Sequence, residues 1–298
     1  MDKEFVNALI EAGIHFGHRS GRWNPKMKPY IFCARNSIHI IDIKQTVKGL
    51  LRSKKLLSKI VASGQDVLFV GTKRQARQPI QTHSERCGMH YVTERWLGGT
   101  LTNFRTIRSR LGRLEELEAM EENGQLASES KKMQSMLRRE MRKIKINLEG
   151  IRKMERLPGV LVVIDAKREH NAVNEARKLN IPTISLIDTD SDPDLVDMVI
   201  PGNDDAMKAI ELVVKNLADG VLEGKEGRVD GAEGRDKAGG EVPRRSRRVS
   251  TARAADELVG GEDDAARDPD RPTENAAPAA PASPTPAVEE AASSERPA

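Results

Sequence analysis

Three short apolar runs punctuate an otherwise charged chain: DVLFVG at 66–71, GVLVVID at 159–165 and PTISLID at 182–188. None alternates strictly between apolar and polar positions, and all are rich in β-branched residues, which is the pattern of strands covered on both faces. Stretches at about 73–87, 168–180 and 204–219 instead carry apolar residues every three or four positions among charged ones. That spacing predicts amphipathic helices. Strand and helix in turn imply right-handed βαβ units around a parallel sheet. Shorter runs, IHIID at 38–42, MHYV at 89–92 and DMVI at 197–200, are expected to bring the sheet to five or six strands, with a further helix near 46–62.

Between 103 and 154 the rhythm changes. Ile107, Leu111, Leu114 and Leu117, then Met133, Leu137, Met141, Ile144, Leu148 and Ile151, step by threes and fours through charged sequence. Two helices joined by a turn at ENGQ, 122–125, should pair antiparallel as a coiled-coil-like hairpin inserted into the sheet domain, with the Met-rich stripe as its core. The expected organisation is an α/β domain of flavodoxin-like or Rossmann-like three-layer form from 1–102 and 155–223, the hairpin at 103–154, and a low-complexity, disordered tail at 224–298.

Composition supports that division. Every aromatic residue lies between Phe5 and Phe104, and beyond about Val221 Gly, Pro, Ala, Ser and charge replace the branched apolar residues. Residues 1–220 hold 37 Lys and Arg against 28 Asp and Glu, a net of +9, whereas 221–298 hold 12 against 17, a net of −5. A basic body suits a polyanion, either nucleic acid or an anionic membrane. No apolar run approaches the roughly 20 residues of a membrane span, and MDKEFVNALI lacks a signal-like core, so a cytoplasmic protein is expected. Cys33 and Cys87 show no CxxC spacing and read as buried or incidental thiols.

Candidate chemistry concentrates in three segments. HFGHRSGRWNPKMKPYIFCARN at 15–36 sets Arg19, Arg22, Lys26, Lys28 and Arg35 among Trp23, Asn24 and Tyr30, with Gly and Pro that resist helix and strand alike. Cations spaced among flat rings can neutralise phosphates and stack on splayed bases. ERWLGGTLTNFRTIRSR at 94–110 brings Arg95 and Trp96 before a glycine pair, then Arg105 and Arg108. Thr102 or Asn103 would cap the first hairpin helix, but arginines at a helix start are unfavourable unless an anion is present. VGTKRQAR at 70–77 runs a strand into a helix opening with Lys73 and Arg74, a natural phosphate position. It matches neither GxxxxGK[ST] nor GxGxxG, so a free-nucleotide site is weak.

The histidines show no HExxH or Cys/His cluster and read as structural. IDTDSDPD carries Asp188, Asp190, Asp192 and Asp194 at the end of a strand, with Asp204 and Asp205 opening the last helix. Turn formation and capping account for most of these; a structural Mg²⁺ at Asp188, Asp190, Asp204 and Asp205 is the alternative, and no cofactor is required. An EF-hand is excluded by Pro193 and Val199 in its glycine and closing-glutamate positions.

HFGHRSGRWNPKMKPYIF, VGTKRQA, RWLGGTLTNF, VVIDAKREHNAVNEA, NIPTISLIDTDSDPD and VIPGNDDA, in order over about residues 1–223, resemble the bacterial ribosomal protein S-two family. The resemblance implies a flavodoxin-like domain with a protruding hairpin, and no catalysis. It also implies contact with small-subunit rRNA and neighbouring small-subunit proteins, and help in recruiting the mRNA-binding ribosomal protein S-one. Arg19, Arg22, Trp23, Asn24, Lys26, Lys28, Arg95 and Trp96 fall within matching motifs. Phe104 stands where the family often has Trp, and the tail is longer than the family leads one to expect. Two other readings compete: a nucleotide- or Mg²⁺-dependent α/β enzyme using the Asp188–Asp194 loop, and a nucleic-acid adaptor acting through PRRSRR at 243–248.

Overall fold

The structure, a computed structural model, describes residues 3–238. Five strands, β4 (Val67–Val70), β5 (His90–Val92), β6 (Val160–Ile164), β7 (Thr183–Ile187) and β8 (Met198–Pro201), form one parallel sheet in the order β5-β4-β6-β7-β8. Counted from β4, this is the doubly wound order 2-1-3-4-5. Strand alternation divides the core. Val67, Phe69, Val160, Val162 and Ile164 face α1 (Lys3–Glu11), α2 (Ile43–Ala62), α3 (Arg74–Cys87) and α8 (Met207–Ala238). Leu68, Val70, Leu161 and Val163 face α7 (His170–Lys178) together with Trp96, Leu101, Leu148 and Ile151. Both faces are buried, so the strands show no polar alternation, and each fully buried Val, Leu or Phe contributes about 1.5–3 kcal/mol.

IHII at 38–41 does not join this sheet, contrary to the sequence expectation. It is β3 (Ile38–Ile41), the centre of a separate antiparallel sheet β1-β3-β2 with β1 (Phe16–Arg19) and β2 (Ile31–Arg35). The β8 edge is closed to it by α2, whose Thr46 hydroxyl donates to the Pro201 carbonyl at 2.6 Å. Segment 15–36 therefore is not irregular throughout. It holds two strands and a 3-10 helix, Pro25–Tyr30, whose start is capped by Asn24 accepting from the Lys26 amide. Asn36 and Ser37, at φ 51° and 61°, form the two-residue connection to β3. Hairpin turns with two positive-φ residues ordinarily carry Asn-Gly, so Asn-Ser gave little signal.

The charged stretch beyond the sheet's second strand forms α4 (Phe104–Glu122), one turn of α5 (Gln125–Ser128) and α6 (Lys131–Leu148). Ion pairs Glu121–Arg138 (3.4 Å) and Glu118–Lys145 (3.4 Å) match falling numbers on α4 to rising numbers on α6, so the two run antiparallel. Leu111, Leu114 and Leu117 are buried, whereas Leu137, Met141 and Ile144 are half-buried and Met133 and Met136 exposed. One facing helix covers only part of the α6 stripe. At the other end of the chain, α8 continues past residue 223, where composition alone ends the folded part. Val221 is fully buried, and the Lys225 ammonium donates to the Cys87 carbonyl at 2.6 Å. Residues 239–298, including PRRSRR at 243–248, lie outside the described residues.

Candidate nucleic-acid interface

In open α/β sheets ligands bind outside the carboxyl ends of the strands, at the point where strand order reverses. Here that point lies between β4 and β6, and the chain's own side chains fill it. The Thr72 amide, the anion-binding position at the start of α3, donates to the buried Glu169 carboxylate at 2.9 Å, and the Thr72 hydroxyl donates to the same oxygen. Lys73 is bound to Asp204 (2.8 Å) and Asp205 (2.6 Å), with Asp165 at 3.7 Å. Burial opposes the Lys73 charge, but these carboxylates raise its pKa on balance. Asp204, 1% exposed, is itself pushed up to about 7 by burial and by the neighbouring Asp165.

The N-terminal segment closes the rest of this edge. β1 lies so near the loop after β7 that a Cβ at Gly17 would come within 2.7 Å of Thr189 Cγ2. The amides of His18 and Asn24 donate to Thr189, to its hydroxyl at 3.0 Å and its carbonyl at 2.8 Å. His18 Nδ1 lies 2.8 Å from Asp188, and this hydrogen bond, helped by the charges of Asp190 and Asp204, holds the imidazole up at about 9. Lys26 bridges Asp192 (2.8 Å) and Asp194 (2.7 Å), and Lys167 holds Asp190 at 2.8 Å. Asp188, Asp190, Asp204 and Asp205 are thus each matched to a cation of the chain. Among the described residues no group of three His, Cys, Asp or Glu side chains forms a metal-ligand set. The acidic run marks Asp188 in the sequence, but no spacing marks His18 as its partner.

What the small sheet leaves outward is different. Register sets Arg19 and Arg35 on either side of Ile38, and Phe16 and Cys33 on either side of Ile40. Partners across strands share a face. Arg19, Arg22, Lys28 and Arg35 are exposed, with Phe16 at 49% and Phe32, at the irregularity in β2, at 75%. Trp23 is partly exposed and packs its ring 5.2 Å from that of His39, so it is partly committed to the fold. Lys26 is also partly committed, through its two aspartates.

The second basic segment is organised from within. Glu175 of α7, buried, accepts from Trp96 Nε1 (3.0 Å) and from the amides of Gly99 (2.8 Å), Leu101 (3.0 Å) and Thr102 (3.1 Å). Burial would raise its pKa, but these donors outweigh burial and lower it. Gly99, at φ +89°, supplies the left-handed turn that aims the amides inward. Trp96 is consequently a core residue rather than a stacking surface. Asn103 occupies the N-cap of α4 without a side-chain capping bond, and Thr102 is engaged with Glu175. Arg108 donates to the Met154 carbonyl at 3.2 Å, tying α4 to the chain returning from α6. Arg74, Arg95 and Arg105 are exposed. Sequence reasoning missed Glu175 and Glu169, both of which look like ordinary charged positions on the helix after β6.

Sequence comparison shows what the chain is similar to. A family model described as Ribosomal protein S2 matches residues 9–224. The small ribosomal subunit protein uS2 of Rhodopirellula baltica is 58% identical over 225 residues, covering 76% of this chain and 86% of the relative. The small ribosomal subunit protein uS2c of Cyanophora paradoxa is 51% identical over 228 residues, covering 76% of this chain and 98% of that one. The match takes in the small sheet, the filled edge and the Glu175 loop alike, and the chain belongs to the ribosomal protein S2 family, a structural and non-enzymatic component of the small ribosomal subunit.

Proposed function

We propose that this chain binds small-subunit rRNA chiefly through the exposed face of β1-β3-β2 and the cations around it, and that it helps recruit the mRNA-binding ribosomal protein S-one. The carrying observation is the outward face on which Arg19 and Arg35 flank Ile38 beside exposed Phe16 and Phe32. Sheet faces with cations and flat side chains suit splayed bases and their phosphates. The net +9 of residues 1–220 supports the same reading. Recruitment of S-one is supported by the family resemblance. Antiparallel α4 and α6 are read as a coiled-coil hairpin that extends the body's reach. No cofactor is needed: a structural Mg²⁺ at the acidic edge would have to displace Lys73 and His18. The enzyme reading is disfavoured because Glu169, Lys73 and the N-terminal segment occupy the place a substrate would take.

Charge reversal at Arg19, Arg22 and Arg35 tests the proposal, since all three are exposed. Lys26 is left intact because Lys26→Glu would face Asp192 and Asp194 and loosen the segment itself. With folding checked by circular dichroism, the triple Glu variant should bind rRNA at least about tenfold more weakly at low salt. The slope of log affinity against log salt should fall by roughly 0.7–0.9 for each phosphate no longer neutralised. Occupancy on small subunits should fall with it. A folded variant that binds and fills subunits like the parent would overturn the assignment.

A further inference from the structure

The α2 sequence, IKQTVKGLLRSKKLLSKIVA, holds six Lys and Arg and no acidic residue. At about 100° per residue, Lys44, Lys48, Arg52, Lys55 and Lys59 fall within about 80° of arc, opposite Leu50, Leu57 and Val61, which the core buries. Five cations thus stand in one row along the outer side of the helix, and all five are exposed. Lys54, on the flank toward α8, is taken by Glu223 at 2.6 Å, whereas the five of the row make no ion pair among the described residues. An ordinary solvated helix face interleaves both signs at i, i+3 and i, i+4, as α8 does with Lys208, Glu211 and Lys215. The row on α2 is of one sign.

Such a row is unfavourable to the isolated fold. Like charges three and four positions apart destabilise a helix, and four such pairs follow one another from Lys44 to Lys59. A polyanion laid along the row would reverse that. The rest of the helix narrows the choice of polyanion. The apolar face of α2 is packed into the core, so the helix has none to lay into lipid. Leu51, 45% exposed, is the only large apolar side chain that α2 exposes, so a protein partner finds few of the anchors that ordinarily hold one. No aromatic residue lies on α2, so unstacked bases find no ring. The phosphate backbone of a duplex needs neither.

We infer that the outer side of α2 is an RNA contact separate from the small sheet, which holds the phosphate backbone of a duplex segment irrespective of its base sequence. Lys44 to Lys59 spans about 22 Å of helix, a length over which one strand of a duplex carries roughly six phosphates. Successive cations of the row rise by about 4.5–6 Å, so each can meet a phosphate of its own. The inference rests on the RNA-binding reading of the chain but not on its surface. The small sheet offers cations with rings, suited to irregular RNA, whereas α2 offers cations alone.

The test uses the full chain and two 20-base-pair RNA duplexes of unrelated sequence, with Lys48→Gln and Arg52→Gln combined. Both positions are exposed, and glutamine is as good a helix former as lysine or arginine. The double variant should melt no lower than the parent, because two like charges leave the row, and should bind both duplexes with a salt slope shallower by roughly 1.4–1.8. Lys208→Gln with Lys215→Gln removes the same charge from the mixed face of α8 and should leave the slope as it is. An α2 variant that keeps the parental slope, that changes no more than the α8 variant, or that loses one duplex only overturns the inference. Unchanged duplex binding with lost binding to phosphatidylserine vesicles, or with reduced occupancy on subunits, also overturns it, in favour of a membrane or of an acidic protein partner. The Arg19, Arg22 and Arg35 reversal is run in parallel. If that variant alone loses RNA binding, the small-sheet reading stands and this one falls; if the α2 variant alone does, the reverse holds.

Discussion

Glu175 gathers the indole of Trp96 and the amides of Gly99, Leu101 and Thr102 onto one buried carboxylate, and the 94–103 loop has its shape because of it. Glu169 does the same for Thr72 at the start of α3. Both put a negative charge where a phosphate or substrate would otherwise sit, and both follow from the helix after β6. Hydrogen bonds to a charged group contribute more than neutral ones, and a buried donor left without a partner costs about 1–3 kcal/mol. Glu175→Ala strands several donors at once. We expect it to destabilise the fold by about 3–5 kcal/mol in denaturant melts, with Glu175→Gln intermediate because one amide oxygen can still accept. A change below about 1 kcal/mol for Glu175→Ala would show that the loop holds its shape by other means.

At the scale of elements, α8 sets where the folded body ends. Its contacts with α2 and α3 run through Val221, and Lys225 reaches the carbonyl that ends α3. Cutting after Ala238 should leave the melting temperature unchanged. Cutting after Gly224 removes the Lys225 bond and should cost about 1 kcal/mol, and cutting after Gly220 exposes the pocket of Val221 and should cost about 2–3 kcal/mol more. Equal melting for all three would show that the last turns do not pack. Composition missed this because Gly224 and Gly227 read as breakers, yet a Cβ at Gly224 would come within 2.6 Å of the Ser58 carbonyl, so glycine there permits close packing on α2. Strands β4, β6 and β7 were legible because burial on both faces leaves an uninterrupted apolar run. β1 and β2, of the same four or five residues, were not: their positions are largely exposed, and the polar and charged residues in and around them break any such run. The cations of the candidate site were legible as residues, but not the partition among them. Only contacts from distant segments separate exposed Arg19 and Arg35 from Lys73 and Arg108, which the fold uses.

Over the described residues, the acidic carboxyl edge of the sheet is held closed by internal cations while Arg19, Arg22, Lys28 and Arg35, on and around the small sheet, stay exposed, and the closed edge makes stability depend on pH in a definite sense. His18 is raised from 6.5 to about 9 by its bond to Asp188 and the surrounding aspartates, so the fold binds its proton more tightly than the unfolded chain does. Its contribution is complete below about pH 6.5 and is lost as pH rises through about 9. Asp204 acts in the same direction: raised from 3.8 to about 7, it favours the fold most at low pH, and that share is gone once pH passes 7. Glu175 and Asp190 act oppositely, since both are lowered on balance, by the loop donors and by Lys167 respectively, and their contribution is lost as pH falls below the usual carboxylate range. His15, His83 and His90, lowered by burial, also act oppositely to His18, adding stability as pH rises through the ordinary histidine range, so the decline above it is left to His18. Thermal melting followed from acid pH, well below 5, up to pH 9.5 should decline by a few degrees between pH 6.5 and 9.5 in the parent protein. In His18→Gln, which keeps a donor but cannot titrate, most of that alkaline decline should disappear, while the acid limb below pH 5 should persist because Glu175 and Asp190 are untouched. Should the parent and His18→Gln curves run parallel through pH 9.5, the His18–Asp188 pair would not be what secures the N-terminal segment to the sheet edge.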